Sequence, residues 1–153
     1  MRRTSPTGLK IIIGWEKLRL KPYYCPAGKL TIGYGHVILP GEDFSRGITI
    51  ETAQELLRND VAIAETAVAK YVSVELPQLC YDALVSFCYN VGCDNFRTST
   101  LLKFLNSGDY YNAALEFCKW NIAGGQKLQG LINRRAEEEL VFVAGAVGFI
   151  EFP

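Results

Sequence analysis

Trp15-Glu16-Lys17-Leu18-Arg19-Leu20-Lys21-Pro22-Tyr23-Tyr24-Cys25-Pro26-Ala27-Gly28-Lys29-Leu30-Thr31-Ile32-Gly33-Tyr34-Gly35-His36 is the stretch on which the fold turns. Its β-prone pieces, Tyr23-Tyr24 and Leu30-Thr31-Ile32, are punctuated by Pro22, Pro26, Gly28, Gly33 and Gly35. That pattern predicts a small antiparallel sheet over 22–37 with a tight turn near Ala27-Gly28. Just upstream, Gly8, Ile11, Ile12, Trp15 and Leu18 recur at helical spacing among charges, which predicts a short amphipathic helix over 8–20. Glu16 then falls at a helix end, Cys25 in the first strand or its turn, and Thr31 in the second strand. A helix end beside a hairpin can aim all three side chains into one groove. A carboxyl that can be kept protonated, facing a group that can hold a water, is what acid/base hydrolysis requires.

Downstream the pattern is helical. Residues 38–48 read as loop, with Pro40-Gly41 as a turn. Thr49 caps a helix over 50–71 whose apolar stripe runs through Ala53, Leu56-Leu57, Val61, Ala64, Ala67-Val68 and Tyr71. Pro77 opens a helix over 77–90 that Gly92 ends. Thr98 or Ser99 starts a short helix to Asn106, Asp109 caps another to Trp120, Gly124-Gly125 is a break, and a last helix spans 129–143. One β element near the N-terminus with helices elsewhere is α+β, not alternating βα units.

The chain has 153 residues, 49% hydrophobic and 21% charged, the composition of one globular domain. Lysine and arginine balance aspartate and glutamate at 16 each. That balance argues against a nucleic-acid binder. The charge is uneven: residues 1–30 hold Arg2, Arg3, Lys10, Lys17, Arg19, Lys21 and Lys29 against Glu16 alone. The five cysteines show no Cys-x-x-Cys spacing, and four of them, Cys25 excepted, read as small buried apolar residues. No apolar run reaches the roughly 20 residues needed to span a bilayer, and no signal peptide is recognisable.

The string Trp15 to Lys21, then Tyr23, Gly28 and Thr31-Ile32-Gly33-Tyr34-Gly35-His36, resembles the signature of the phage-type lysozymes, the endolysins of tailed phages. Their pattern of Glu, eight residues, Asp or Cys, five residues, Thr is matched without a gap by Glu16, Cys25 and Thr31. The resemblance continues through Asn90-Val91-Gly92, Trp120, Gly124-Gly125, Gly130-Leu131 and Arg134-Arg135, covering about residues 8–145. It implies a single lysozyme-like α+β domain over 1–153. A small N-terminal antiparallel β-sheet lobe (about 8–60) would face a mainly helical C-terminal lobe (about 61–153, with the first helix packing on it) across the active-site cleft. It further implies hydrolysis of the β-1,4 bond between N-acetylmuramic acid and N-acetylglucosamine in peptidoglycan, with no cofactor and no metal. Glu16 would be the general acid, and position 25 with Thr31 would hold the attacking water, with inversion at the sugar carbon.

Cys25 stands where aspartate is commoner. A thiol is mostly protonated at neutral pH unless cations draw the proton off, and Arg19, Lys21 and Lys29 are near in sequence. Three readings stay open: a thiolate that activates water, a thiolate that attacks the sugar, or a spacer beside a Thr31-bound water. By resemblance His36 pairs with Asp60 and ties the sheet to the long helix, and Arg134 contacts Glu16 from the C-terminal lobe, with Arg135 the alternative. A guanidinium there would favour the ionised carboxylate, against the effect of burial. The alternative for the arginines is an exposed pair with Glu138 or Glu139. Tyr89 and Val37 are candidate sugar contacts. Two other functions fit parts of the pattern: a lytic transglycosylase on the same bond, and a catalytically dead wall-binding module. The expected setting is the host bacterial cytoplasm until release to the cell wall, as a monomer without membrane insertion, with a separate holin giving access to peptidoglycan.

Overall fold

In a computed structural model the chain is described over residues 2–150; residue 1 and residues 151–153 of the expected 1–153 span lie outside the described residues. Helix α1 (Pro6–Trp15) is capped by the Ser5 side chain, which accepts from the Thr7 amide, and ends at Glu16, whose own N–H donates to Ile12 O. The helix therefore stops at Trp15, not at residue 20, and the freed residues join β1 (Arg19–Tyr24). Antiparallel pairing joins β1 to β2 (Leu30–Gly33), and β2 to β3 (His36–Val37). A register shift between Arg19 and Tyr23 accommodates Pro22, which has no N–H to offer the ladder.

Helix α2 (Ile50–Tyr71) buries Ala53, Leu57, Val61, Ala64, Ala67 and Val68, the expected stripe with Leu56 and Tyr71 only partly covered. Helix α3 (Gln78–Val91) is the hub, packing on α1, on α2 and on α7 (Gln129–Gly145). Its residues Cys80 to Cys88 are all buried, so it lies covered on every side. The approach of α7 is close: a Cβ on Gly145 would lie 2.7 Å from the Cys80 amide nitrogen. Between α3 and α7 run α4 (Cys93–Thr98), α5 (Thr100–Asn106), α6 (Tyr110–Glu116) and a 3-10 turn, Phe117–Lys119. Helix α4 was not expected; it begins where Gly92, at φ +92°, turns the chain out of α3. The break expected at Gly124-Gly125 is the turn of a two-stranded hairpin, β4 (Ile122–Ala123) with β5 (Gln126–Lys127). The architecture is the expected α+β arrangement, a small antiparallel sheet near the N-terminus followed by a mainly helical remainder. No helix among the described residues is long and apolar enough to cross a membrane.

The entry to α1 is clasped by two buried carboxylates. Glu65 on α2 accepts from Thr4 N at 2.7 Å, Thr4 Oγ1 at 2.8 Å and Arg3 Nη1 at 3.0 Å. Asp82 on α3 accepts from Ser5 N at 2.9 Å, the Ser5 hydroxyl and Gln78 Nε2 at 2.9 Å. The cysteine expectation needs correction. Cys80 and Cys88 are buried, but Cys93 is half-buried and Cys118 exposed. Cys118 lies in the 3-10 turn, where the expected longer helix has already tightened and its side chain faces out.

Candidate active site

Glu16 sits where α1 hands over to the sheet, and its side chain keeps 20% of its accessible surface. Oε1 accepts from Arg134 Nη1 at 2.7 Å. On its other side the carboxylate faces Gly35: a Cβ at that position would fall 2.9 Å from Oε2, and φ there is +89°. Both facts call for glycine, one by space and one by backbone conformation. Trp15 donates from Nε1 to Glu137 on α7, which pins the residue before Glu16 to the same helix. Trp15, Glu16, Asn90, Leu128, Gly130, Leu131 and Arg134 line a cavity of about 300 Å³.

Arg134 is nearly fully buried and contacts three groups beyond Glu16. Nε donates to Glu138 Oε1 at 3.0 Å, and Nη2 reaches Ser86 O and Ser86 Oγ, each at 3.3 Å. Arg135 does not take the Glu16 contact; its guanidinium bonds Glu138 and lies over the Phe87 ring, 5.1 Å from the centroid. Neither arginine forms the exposed helix pair considered above, because α7 turns this face into α3.

On the hairpin, Cys25 is partly exposed and Thr31 buried. The Thr31 hydroxyl donates to Lys29 O at 2.9 Å and lies within hydrogen-bonding reach of the Cys25 sulfur. A hydroxyl has one proton, so it serves one acceptor at a time, and its lone pairs remain to accept from water. Burial raises the Cys25 pKa, but the backbone N–H groups of Lys29 and Ala27, the Thr31 hydroxyl and the Lys29 charge outweigh it and hold the thiol below its usual value. Of the three nearby cations, Lys29 is the one whose charge bears on the sulfur, and the turn's own amides bear on it more than that charge does. Tyr23, directly opposite Thr31 in the ladder, joins the two sides. Its phenol is raised by burial, then by the charges of Glu16 and of Cys25.

The His36–Asp60 pair is present, with Nδ1 to Oδ2 at 2.9 Å. A second carboxylate, Glu42, holds Nε2 at 2.9 Å and also accepts from the Leu39 amide. Burial disfavours charge on the imidazole, yet the hydrogen bonds and charges of Glu42 and Asp60 prevail and the His36 pKa is raised. Residue 42 lies in a segment that sequence reads only as loop, and a carboxylate there carries no periodic signal. His36 therefore ties β3, the 38–48 segment and α2 together.

Tyr89 and Val37 line one cavity of about 250 Å³ with Gly35, His36 and Asp60, while the next residue, Asn90, lines the Glu16 cavity. The two hollows thus adjoin along α3. Val37 is exposed. The Tyr89 hydroxyl donates to Tyr34 O at 2.6 Å, and burial, with the Glu16 and Asp60 charges, pushes its pKa far up, so it stays a phenol. Sequence names Glu138 only as half of an exposed pair with an arginine, and it carries no signal for Gly35 as the acid's neighbour, for Ser86 behind Arg134, or for Tyr23. The arrangement can do acid-catalysed chemistry: one partly exposed carboxyl is oriented by a buried guanidinium, while the thiol and the hydroxyl sit on the adjoining hairpin and do not line the cavity that Glu16 lines. Among the described residues no cluster of three histidine, cysteine or acidic side chains has the make-up of a metal site.

The chain has known relatives. The chain is 46% identical over 145 residues to the endolysin of Bacillus phage PZA, covering 92% of this chain and 55% of that protein. It thus spans about half the length of that relative. With the endolysin of Acyrthosiphon pisum secondary endosymbiont phage 1 it shares 44% identity over 142 residues, covering 90% of this chain and 96% of that one. The muramidase domain of SpmX from Asticaccaulis excentricus superposes with a TM-score of 0.83 at 35% identity, covering 94% of this chain and 99% of that chain. The phage lysozyme family model matches residues 13–138, from the last turn of α1 to the Glu138 that holds Arg134, and the chain belongs to the phage lysozyme family.

Proposed function

We propose that the chain is an endolysin of muramidase type, hydrolysing the β-1,4 bond between N-acetylmuramic acid and N-acetylglucosamine in peptidoglycan. The observation that carries the reading is the Glu16 carboxyl, oriented by Arg134 at 2.7 Å and lining a cavity, with Cys25 and Thr31 on the hairpin that begins three residues after it. Relatives named endolysin and a structural neighbour named a muramidase domain support it. Glu16 donates its proton to the leaving oxygen. Thr31, with its own proton given to Lys29 O, accepts a hydrogen bond from the attacking water. Cys25 draws the second proton of that water as a thiolate, which the Lys29 and Ala27 amides and the Lys29 charge favour. Arg134 orients the acid, and Tyr89 and Val37 contact sugar rings in the adjoining hollow. The His36–Asp60 pair is structural.

The domain is proposed to divide near residue 60, inside the continuous α2, into a sheet-bearing lobe and a helical lobe, with α1 packed on the latter. It acts as a monomer on glycan strands, starts in the host cytoplasm and reaches the wall through the lesion of a separate holin.

Mass spectrometry of peptidoglycan digested by wild type, Glu16→Gln and Cys25→Ala tests the reaction. Reducing ends carrying one added water per cut are expected from wild type and none from Glu16→Gln. Anhydro ends without added water would make the enzyme a transglycosylase, and no products at all a binding module. Lysis of cells expressing the chain with and without a holin tests the access route.

A further inference from the structure

Behind Glu16 two arginines share one buried glutamate. Glu138 Oε1 accepts from Ser86 Oγ at 2.7 Å, Arg134 Nε at 3.0 Å and Arg135 Nη2 at 3.1 Å. Glu138 Oε2 and Arg135 Nε form an ion pair at 2.8 Å, and Arg135 Nη1 is left without a hydrogen bond. Arg134, Arg135 and Glu138 are 3%, 0% and 0% exposed. Solvent does not screen them, so their charges act on Glu16 at low effective dielectric. Burying a second guanidinium with Nη1 unpaired is costly, and packing between α3 and α7 alone gives no reason for it, since apolar residues commonly pack at least as well. Its charge gives a reason. The two guanidinium ions and one carboxylate leave one surplus positive charge, and only Arg134 passes it directly to Glu16, at 2.7 Å.

We propose that Glu138 and Arg135 are positioning residues for the Glu16 acid: Glu138 turns Arg134 toward Glu16 and offsets its charge, Arg135 offsets Glu138, and the balance of these three charges bears on the acid step at Glu16. The inference rests on the reading of Glu16 as the general acid. Burial lowers the Arg135 pKa to about 10 against the pull of Glu138, so this guanidinium stays charged through the neutral range, and it feels the Glu16 charge. The other groups facing Glu16 do not supply the same control. From α3 comes the protonated phenol of Tyr89, and from β1 the phenol of Tyr23. From the segment after β2 comes the Gly35 backbone. The Cys25 thiol and the Lys29 ammonium lie beyond Tyr23 on the hairpin. Glu137 is engaged by Trp15, and Lys17 and Arg19 on Glu16's own segment are exposed and screened.

The test is turnover against pH on peptidoglycan for Glu138→Gln, Arg135→Met and the double variant. Glu138→Gln keeps an amide oxygen for Ser86 and the arginines but removes the negative charge, so the alkaline limb of activity moves down by about one pH unit. Arg135→Met keeps an unbranched stem over Phe87 and removes a positive charge, so the limb moves up by a similar amount. The double variant restores the wild-type charge sum, and its limb returns to the wild-type position. Arg135→Lys keeps the charge and leaves the limb in place. A merely structural role moves stability, not the limb, and cannot move it in opposite directions. Limbs that coincide, or that move the same way in both single variants, overturn the proposal. If Glu138→Gln does not fold, Arg135→Met against Arg135→Lys decides it: an upward shift in the first alone supports it, and any other pattern overturns it. Glu16→Gln separates the two layers. Full turnover there overturns the acid assignment itself, whereas an inactive Glu16→Gln with unmoved limbs overturns only the role of Glu138 and Arg135.

Discussion

The Glu16 carboxyl and the Arg134 guanidinium meet at 2.7 Å across 118 residues of sequence, joining the last residue of the α1 turn to the first half of α7. Through Nε and Nη2 the same guanidinium also holds Glu138 and Ser86. A lysine presents a point charge and cannot span three partners in a fork. Arg134→Lys is therefore expected to drop turnover roughly 10- to 100-fold. Arg134→Ala, which strands Glu138, is expected to lose about 3–5 kcal/mol of stability. Denaturant melts beside turbidity assays of permeabilised cells check both.

Aspartate is the residue that the resemblance sets beside cysteine at position 25. Cys25→Asp should keep activity and extend it to lower pH, because a carboxyl ionises well below even a lowered thiol. Cys25→Ala should lose about 100-fold. Oxidation of the wild-type thiol by peroxide should inactivate, and Cys25→Asp should resist. Full lysis by the alanine variant would remove any chemical role for the sulfur.

The His36 cluster is expected to govern stability. His36→Asn removes a ring held by two carboxylates and should lower stability by about 2 kcal/mol, or roughly 4–8 °C in Tm, with turnover of the folded enzyme little changed. The folded pKa of His36 is raised, so the stabilisation is fully present below the unfolded value of about 6.5 and fades as pH climbs through the folded one. The gap in Tm between wild type and His36→Asn should therefore be widest in acid and shrink at alkaline pH. A larger loss of turnover than of Tm would return His36 to the chemistry.

Gly35 and Gly33 make an internal control. Both have positive φ, so an alanine at either is strained by about 1–2 kcal/mol. At Gly33 the added Cβ meets ordinary contacts at 3.6 Å, whereas at Gly35 it meets Glu16 Oε2 at 2.9 Å. Similar destabilisation is expected from the two variants, with a turnover loss of about 100-fold in Gly35→Ala alone.

Much of this molecule is legible in its sequence. The α2 stripe from Ala53 to Val68 is long and periodic, and it fixes that helix with its Thr49 cap. The Glu16, Cys25 and Thr31 spacing, with the turn glycines, is local and marks the hairpin. Leu18 continues the apolar spacing and makes the first helix look longer than it is, while the β-bulged strand takes residues from Arg19 onward. The charges behind the site were not legible. Arg135 and Glu138 look like a solvated helix face until α3 covers them, and Glu42 reaches His36 only because a loop bends back. Buried ionic groups are placed by long-range packing, and local periodicity is silent about them.

Helix α1 is anchored at both ends to different helices: Ser5 meets Asp82 of α3 at its start, and Glu16 meets Arg134 of α7 at its finish. The helix is thus a ruler between two fixed marks. One residue inserted within it would swing the terminal carboxyl about 100° around the axis and advance it about 1.5 Å. The number of residues from Ser5 to Glu16, more than their identity on the outer face, is what the two anchors hold fixed.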